Sequence, residues 1–178
     1  MMWYGKDGIL MGLLNDYNLS SLASAQGRQG NERTGTVTFM ALDLLTSEGQ
    51  GGEIKHLYRH DLESFIWVLV WVCLRYKDGT LLTFNHPFDD WATKDAVTVG
   101  EKKDSFLMNF LAFEPKDLDP LMWSLVAYCL QVLKQESDRR QALRFKQKME
   151  GVAIAIERDD KGFLDLFMST KGWVGLSM

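Results

Sequence analysis

The sequence predicts a mainly helical chain with a short N-terminal β-hairpin and a central buried helix. Three observations lead there. Two apolar runs, residues 1–4 and 9–15, are joined by Gly5-Lys6-Asp7-Gly8. Asp-Gly between apolar runs favours a tight reversal, because Gly tolerates the positive φ that such turns demand. Residues 60–76 are apolar on nearly every side, as expected of a helix covered all round. Further along, Asp119-Pro120 opens an apolar stretch and Gly151 closes a polar one, the signals for helix starts and stops.

Taken in order, an isolated hairpin is marginal, so its strands must lean on other elements. Residues 19–38 turn to Ser, Gly, Gln, Asn, Arg and Thr, too polar to offset their ordering entropy by burial, and are expected to form a mobile loop. Residues 37–45 return to the core as a short helical turn, and residues 46–52 form a second loop. In the helix over 60–76, Asp61 is expected to cap the N-terminus and Glu63 to suit its positive end. Helices are then expected over 102–113, 120–135 and 138–150, with Asp119 as a cap and Gly151 at the last stop.

Composition narrows the function. Hydrophobic residues make up 46% of the 178, ample for one core. Twenty basic against 24 acidic residues leave a formal charge of −4. That balance argues against non-specific binding to nucleic acid or an anionic membrane, which needs a basic face. The longest apolar run, residues 65–74, would span about 15 Å as a helix, half a bilayer core. No basic-then-apolar leader opens the chain, and Cys73 and Cys129 sit apart in apolar runs. An intracellular protein, cytoplasmic or nuclear, is the expectation.

Three segments together resemble the fungal-type protein kinase family. Leu13-Leu14-Asn15-Asp16-Tyr17-Asn18-Leu19 follows a strand and precedes the long loop, the place of the kinase D-F-G segment. Arg33-Thr34-Gly35-Thr36-Val37-Thr38-Phe39-Met40-Ala41-Leu42-Asp43-Leu44-Leu45 is similar to the end of an activation segment, where most kinases carry G-T-x-x-[YF]-M-A-P-E. Leu57-Tyr58-Arg59-His60-Asp61-Leu62-Glu63-Ser64-Phe65-Ile66-Trp67-Val68-Leu69-Val70-Trp71 looks like the start of the central helix of the kinase C-lobe. The resemblance covers residues 1–91 well and the later helices loosely. It implies that residues 1–178 form part of a kinase-like C-terminal lobe, with residues 19–38 as its activation-segment-like loop.

The resemblance also implies roles. Asp16 would bind Mg²⁺ and so position ATP, the cofactor of the family; read alone, it is an Asp ending a strand on its own backbone. Thr34 and Thr36 would belong to the activation segment, Thr36 near the acceptor hydroxyl, whereas their bland reading is loop threonines bonded locally. Asp43 takes the place of the Glu in A-P-E, and its implied partner is Arg139 or Arg140, against the alternative of an exposed acid. Asp61 resembles the buried Asp heading the central helix, an architectural acceptor.

The implied activity is ATP-dependent phosphoryl transfer to protein Ser or Thr. The 178 residues hold no G-x-G-x-x-G before a strand and no H-R-D-x-x-x-x-N before Asp16, so the chain alone is expected to be inactive and to hold no Mg²⁺-ATP. The alternative is a non-catalytic helical module that binds a protein partner. Apolar hairpin residues such as Met1, Trp3 and Leu13, normally covered by the rest of a kinase, would then be exposed and favour self-association.

Overall fold

A computed structural model describes residues 2–6, 9–13, 36–77, 79–82, 88–115, 118–151 and Asp165. The chain divides into two units, Met1–Thr34 and Gly35–Met178. In the first, β1 (Met2–Lys6) pairs antiparallel with β2 (Ile9–Leu13). The register runs from Met2 opposite Leu13 to Lys6 opposite Ile9, leaving Asp7-Gly8 as the two connecting residues.

The second unit is mainly helical. A 3-10 turn at Val37–Phe39 leads through α1 (Leu42–Leu45) and α2 (Ser47–Gln50) to α3 (Tyr58–Arg75). A small ribbon follows, β3 (Tyr76–Lys77) against β4 (Thr80–Leu81), with Gly79 at φ +75° in its turn. Then come a 3-10 turn at Asp89–Ala92, α4 (Ala96–Asn109), a 3-10 turn at Phe110–Phe113 and α5 (Pro120–Glu150).

The core lies where α3 meets α5. Ile66, Trp67 and Val70 of α3 share one buried cluster with Val126, Leu130 and Leu133 of α5. Phe88, Trp91 and Phe106 extend that cluster with edge-to-face and tilted ring contacts, Trp67 meeting Trp91 at 5.5 Å between centroids. Such aromatic pairs add to stability beyond the area they bury.

Helix α3 differs from its expectation in two ways. It is not covered all round: Phe65, Val68 and Val72 are exposed on one face. Asp61 does not cap it, because the helix begins at Tyr58 and Asp61 falls one turn inside. The N-terminus is instead tied by the Leu57 N–H donating to His60 Nδ1 at 3.1 Å, an imidazole doing what a Glu does in a capping box.

Helix α4 starts six residues before its expected position, with Asp95 as cap accepting from the Thr98 N–H at 3.0 Å. Val97, Thr98 and Gly100 weaken the helical signal there, yet Gly100 is needed for contact. A Cβ on it would come 3.1 Å from the Leu45 Cβ, so α1 and α4 approach through the missing side chain.

Helix α5 is one continuous element of 31 residues, about 46 Å long, rather than two helices parted near Glu136. Asp119 Oδ1 accepts from the Leu121 and Met122 N–H groups, at 2.9 and 3.1 Å. At the far end Gly151 adopts φ +66° and its N–H donates to the Gln147 carbonyl. The expected break is absent because the apolar stripe there gives way to charges that are themselves buried.

Gly49 is a position where sequence change should be costly. An added Cβ would press on the Asp43 carbonyl oxygen and come within 2.7 Å of the Leu44 carbonyl oxygen. Backbone atoms cannot rotate away. Gly49→Ala is therefore expected to lose about 2–3 kcal/mol in a urea titration, by opening the α1–α2 elbow.

Candidate functional site

The most ordered concentration of polar chemistry is a buried charge cluster where α1, α3 and α5 converge. Asp43, buried on α1, is its centre. Its Oδ2 accepts from Arg59 NH1 at 2.8 Å and lies 3.4 Å from Arg140 Nε. Its Oδ1 accepts from Arg144 NH2 at 2.6 Å. One carboxylate thus joins α1 to a guanidinium of α3 and to two of α5.

Local sequence explains the convergence. Arg59 and Glu63 lie one turn apart on α3, so both face the same seam. Glu136, Arg140 and Arg144 repeat at every fourth residue of α5 and form a polar row in line with its apolar stripe. Glu63 Oε1 accepts from the Leu42 N–H at 2.8 Å, satisfying a donor at the start of α1, and from Trp67 Nε1 at 3.2 Å. Its other oxygen is 3.7 Å from Arg140 NH2. Glu136 accepts from Arg139 at 2.7 and 2.9 Å and lies 3.5 Å from Arg140 NH1.

Electrostatics follow from burial and pairing. Burial alone would push the Asp43 carboxyl up. The His60 ring and the guanidiniums of Arg140, Arg144 and Arg59 outweigh that and hold it well below the ordinary carboxylate range. His60 is fully buried, and burial lowers its pKa against the pull of Asp43. Since His60 Nδ1 accepts from Leu57, the neutral ring carries its proton on Nε2, 3.7 Å from Asp43 Oδ2. That distance is too long for a hydrogen bond, and the contact is electrostatic.

Lys103 of α4 completes the region from the opposite side. It is fully buried, and its Nζ donates to the Met40 carbonyl at 2.6 Å. The ammonium sits 4.6 Å from the Trp67 ring and 5.5 Å from the Trp91 ring. Burial lowers its pKa to about 7, with Glu63 opposing.

Beside the cluster lies a cleft of about 470 Å³, lined by Arg59 and Arg144 together with Thr46, Glu48, Glu53 and Lys55. Both guanidiniums are already held by Asp43. The arrangement suits a latch that ties α1 to α3 and α5.

Among the sequence-expected residues, Asp43 and Arg140 are brought together, while Arg139 turns to Glu136. Asp61 is exposed, not buried, and contacts His56 Nε2 at 2.9 Å. Its position on the first turn points it to the solvent side of α3. Thr36 is exposed at the start of the Val37–Phe39 turn, where its carbonyl accepts from the Phe39 N–H and its side chain makes no capping bond. Asp16 and Thr34 lie outside the described residues. Arg59, His60, Glu63, Lys103, Glu136 and Arg144 were not singled out in the sequence as members of a site. The signal that could have found Arg59, Glu63, Glu136 and Arg144 is the four-residue spacing of opposite or repeated charges inside otherwise apolar helices; His60 and Lys103 carry no such signal.

Among the described residues no group of three or more His, Cys, Asp or Glu could hold a metal ion. None of their helices is long and apolar enough to cross a membrane. A family model described as fungal protein kinase matches residues 5–73. No curated protein and no solved structure gives a match.

Proposed function

Because residues 5–73 match a family model described as fungal protein kinase, we propose that the chain forms part of a kinase-type C-lobe and does not itself transfer phosphate. The activity of the fold it contributes to is ATP-dependent phosphoryl transfer to protein Ser or Thr. The observation that carries this reading is the Asp43 cluster. It ties the segment that ends the activation-segment-like motif to the central helix α3 and to α5. A loop that must present a protein substrate needs such a fixed downstream anchor.

Asp16 is the residue that would hold Mg²⁺, whose charge would draw the ATP phosphates into line. It lies outside the described residues. The chain's own contribution is positional. Arg59, Arg140 and Arg144 keep Asp43 ionised, and Glu63 holds the start of α1.

The reading of inactivity rests on chemistry. Phosphoryl transfer depends almost wholly on positioned charge, and the 178 residues contain neither an H-R-D-x-x-x-x-N motif nor a G-x-G-x-x-G loop. Titration calorimetry of the chain with Mg²⁺-ATP tests it. No saturable heat is expected, and micromolar, Mg²⁺-dependent binding would overturn the reading. The exposed apolar face of α3 favours a second role, protein association without catalysis.

A further inference from the structure

A smaller pocket, of about 230 Å³, lies between α4 and the two 3-10 turns that flank it in the chain. Its apolar lining consists of aromatic rings. Trp91 and Phe106 are buried, while Phe113 is 41% exposed. Phe106 joins the other two, its centroid 6.1 Å from that of Trp91 and 5.0 Å from that of Phe113. Ser105 and Asn109, one turn apart on α4, are exposed and line the same pocket. Neither side chain makes a hydrogen bond among the described residues, and Asn109 precedes the Phe110–Phe113 turn without capping it.

We propose that this pocket seats one tyrosine side chain of another protein. Size is the first reason. A closed cavity of about 150 Å³ takes benzene, and small-molecule sites run from roughly 300 Å³ upwards. The volume here therefore suits one substituted ring, an anchor rather than a whole ligand. Charge is the second. Lys102 and Asp90 also line the pocket, but they hold each other at 2.8 Å. Their charges cancel at that range, so the pocket selects neither a cation nor an anion, phosphotyrosine included. Hydrogen bonding is the third. The Ser105 hydroxyl and the Asn109 amide each offer both a donor and an acceptor, and a phenol hydroxyl can answer both. An indole only donates and a phenyl ring does neither.

The rings supply attraction and the hydroxyl supplies choice. An entering phenol extends the row of Trp91, Phe106 and Phe113 by one more stacked or edge-to-face contact. One ring carries only part of the energy of a protein contact, so an isolated tyrosine binds in the millimolar range and the pocket acts as an anchor within a larger surface. The site stands on α4 and its flanking turns and is independent of any phosphoryl transfer.

Proton–nitrogen NMR of the chain, titrated with N-acetyl-tyrosinamide to about 20 mM, tests the proposal across the range that one ring commands. Saturable shifts of the Trp91 indole N–H and of the Ser105, Asn109 and Phe113 amides are the expected result. N-acetyl-phenylalaninamide should bind about threefold or more weakly, the share of the hydroxyl's hydrogen bonds. Ser105→Ala combined with Asn109→Leu, both at exposed sites, should erase that preference and leave far-UV circular dichroism unchanged. A Gly-Gly-Tyr-Gly-Gly peptide blocked at both ends should bind as well as the single residue, since the tyrosine arrives within a chain. The proposal is overturned by shifts that do not saturate at this pocket, or by equal affinity for the two amides. A preference that survives the double variant, or rejection of the peptide, overturns it too.

Discussion

Replacing Asp43 by Ala should cost about 3–5 kcal/mol of unfolding free energy. The magnitude comes from what is left behind. Arg59 and Arg140 are buried with Asp43 as their shared counter-ion, and Arg144 joins them from a half-exposed position. Removing the acid takes the buried Arg59 guanidinium's carboxylate away and leaves Arg140 only its longer contacts to Glu136 and Glu63, in a medium that solvates both poorly. Chemical denaturation with intrinsic tryptophan fluorescence would read the loss, since Trp67 and Trp91 lie in the adjoining core. A cost under about 1 kcal/mol would mean that water reaches the cluster and that it behaves as a surface ion pair.

The same residue predicts an acid limb. The folded-state pKa of Asp43 is depressed below its unfolded value, so its contribution is fully present above the ordinary carboxylate pKa near 3.9 and is lost as pH falls towards the folded value. The stability gap between the native chain and Asp43→Asn should therefore be constant above about pH 5 and shrink below about pH 4. A gap that persists unchanged into acid would show that the carboxylate charge is not what holds Arg59, Arg140 and Arg144.

The cluster also shows where sequence reading reached and where it stopped. The hairpin was legible because Asp7-Gly8 is a local signal, and the ends of α5 because Asp119-Pro120 and Gly151 act on their own neighbours. The continuity of α5 was not. Its middle reads as polar, and only tertiary structure reveals that Glu136 and Arg140 point inwards to charges on α1 and α3. Gly100 misled for a related reason, because the need for a small residue arises from Leu45, more than fifty positions away. Asp61 was misread through a shift of the helix start. Once His60 ties Leu57, the acid sits a turn too late to cap. Partial coverage of α3 was illegible in principle, since an all-apolar helix reads alike whether its last face is covered by its own chain or by another.

Lys103 gives the second large effect, with the opposite direction in pH. Its amine has a folded-state pKa of about 7, below the ordinary lysine value near 10.4, because burial disfavours the ammonium. Glu63 on α3 is the charged group opposing that shift; the Met40 carbonyl and the Trp67 and Trp91 rings complete its surroundings. Between these two pKa values the unfolded chain holds a proton that the folded chain has released. Stability attributable to Lys103 is thus complete above about pH 10.4 and declines as pH falls towards 7, by on the order of 1 kcal/mol per pH unit. Lys103→Met removes the titration, so the difference in unfolding free energy between the native chain and this variant should rise steadily from about pH 7 to 10. Lys103→Arg separates charge from size: a guanidinium stays ionised throughout, so this variant should be destabilised and show no such rise. Parallel curves for the native chain and Lys103→Met would mean that the ammonium stays charged in the core, held there by Glu63 and the two indoles. The bond from Lys103 to Met40 would then be a permanent charged tie on the segment entering α1.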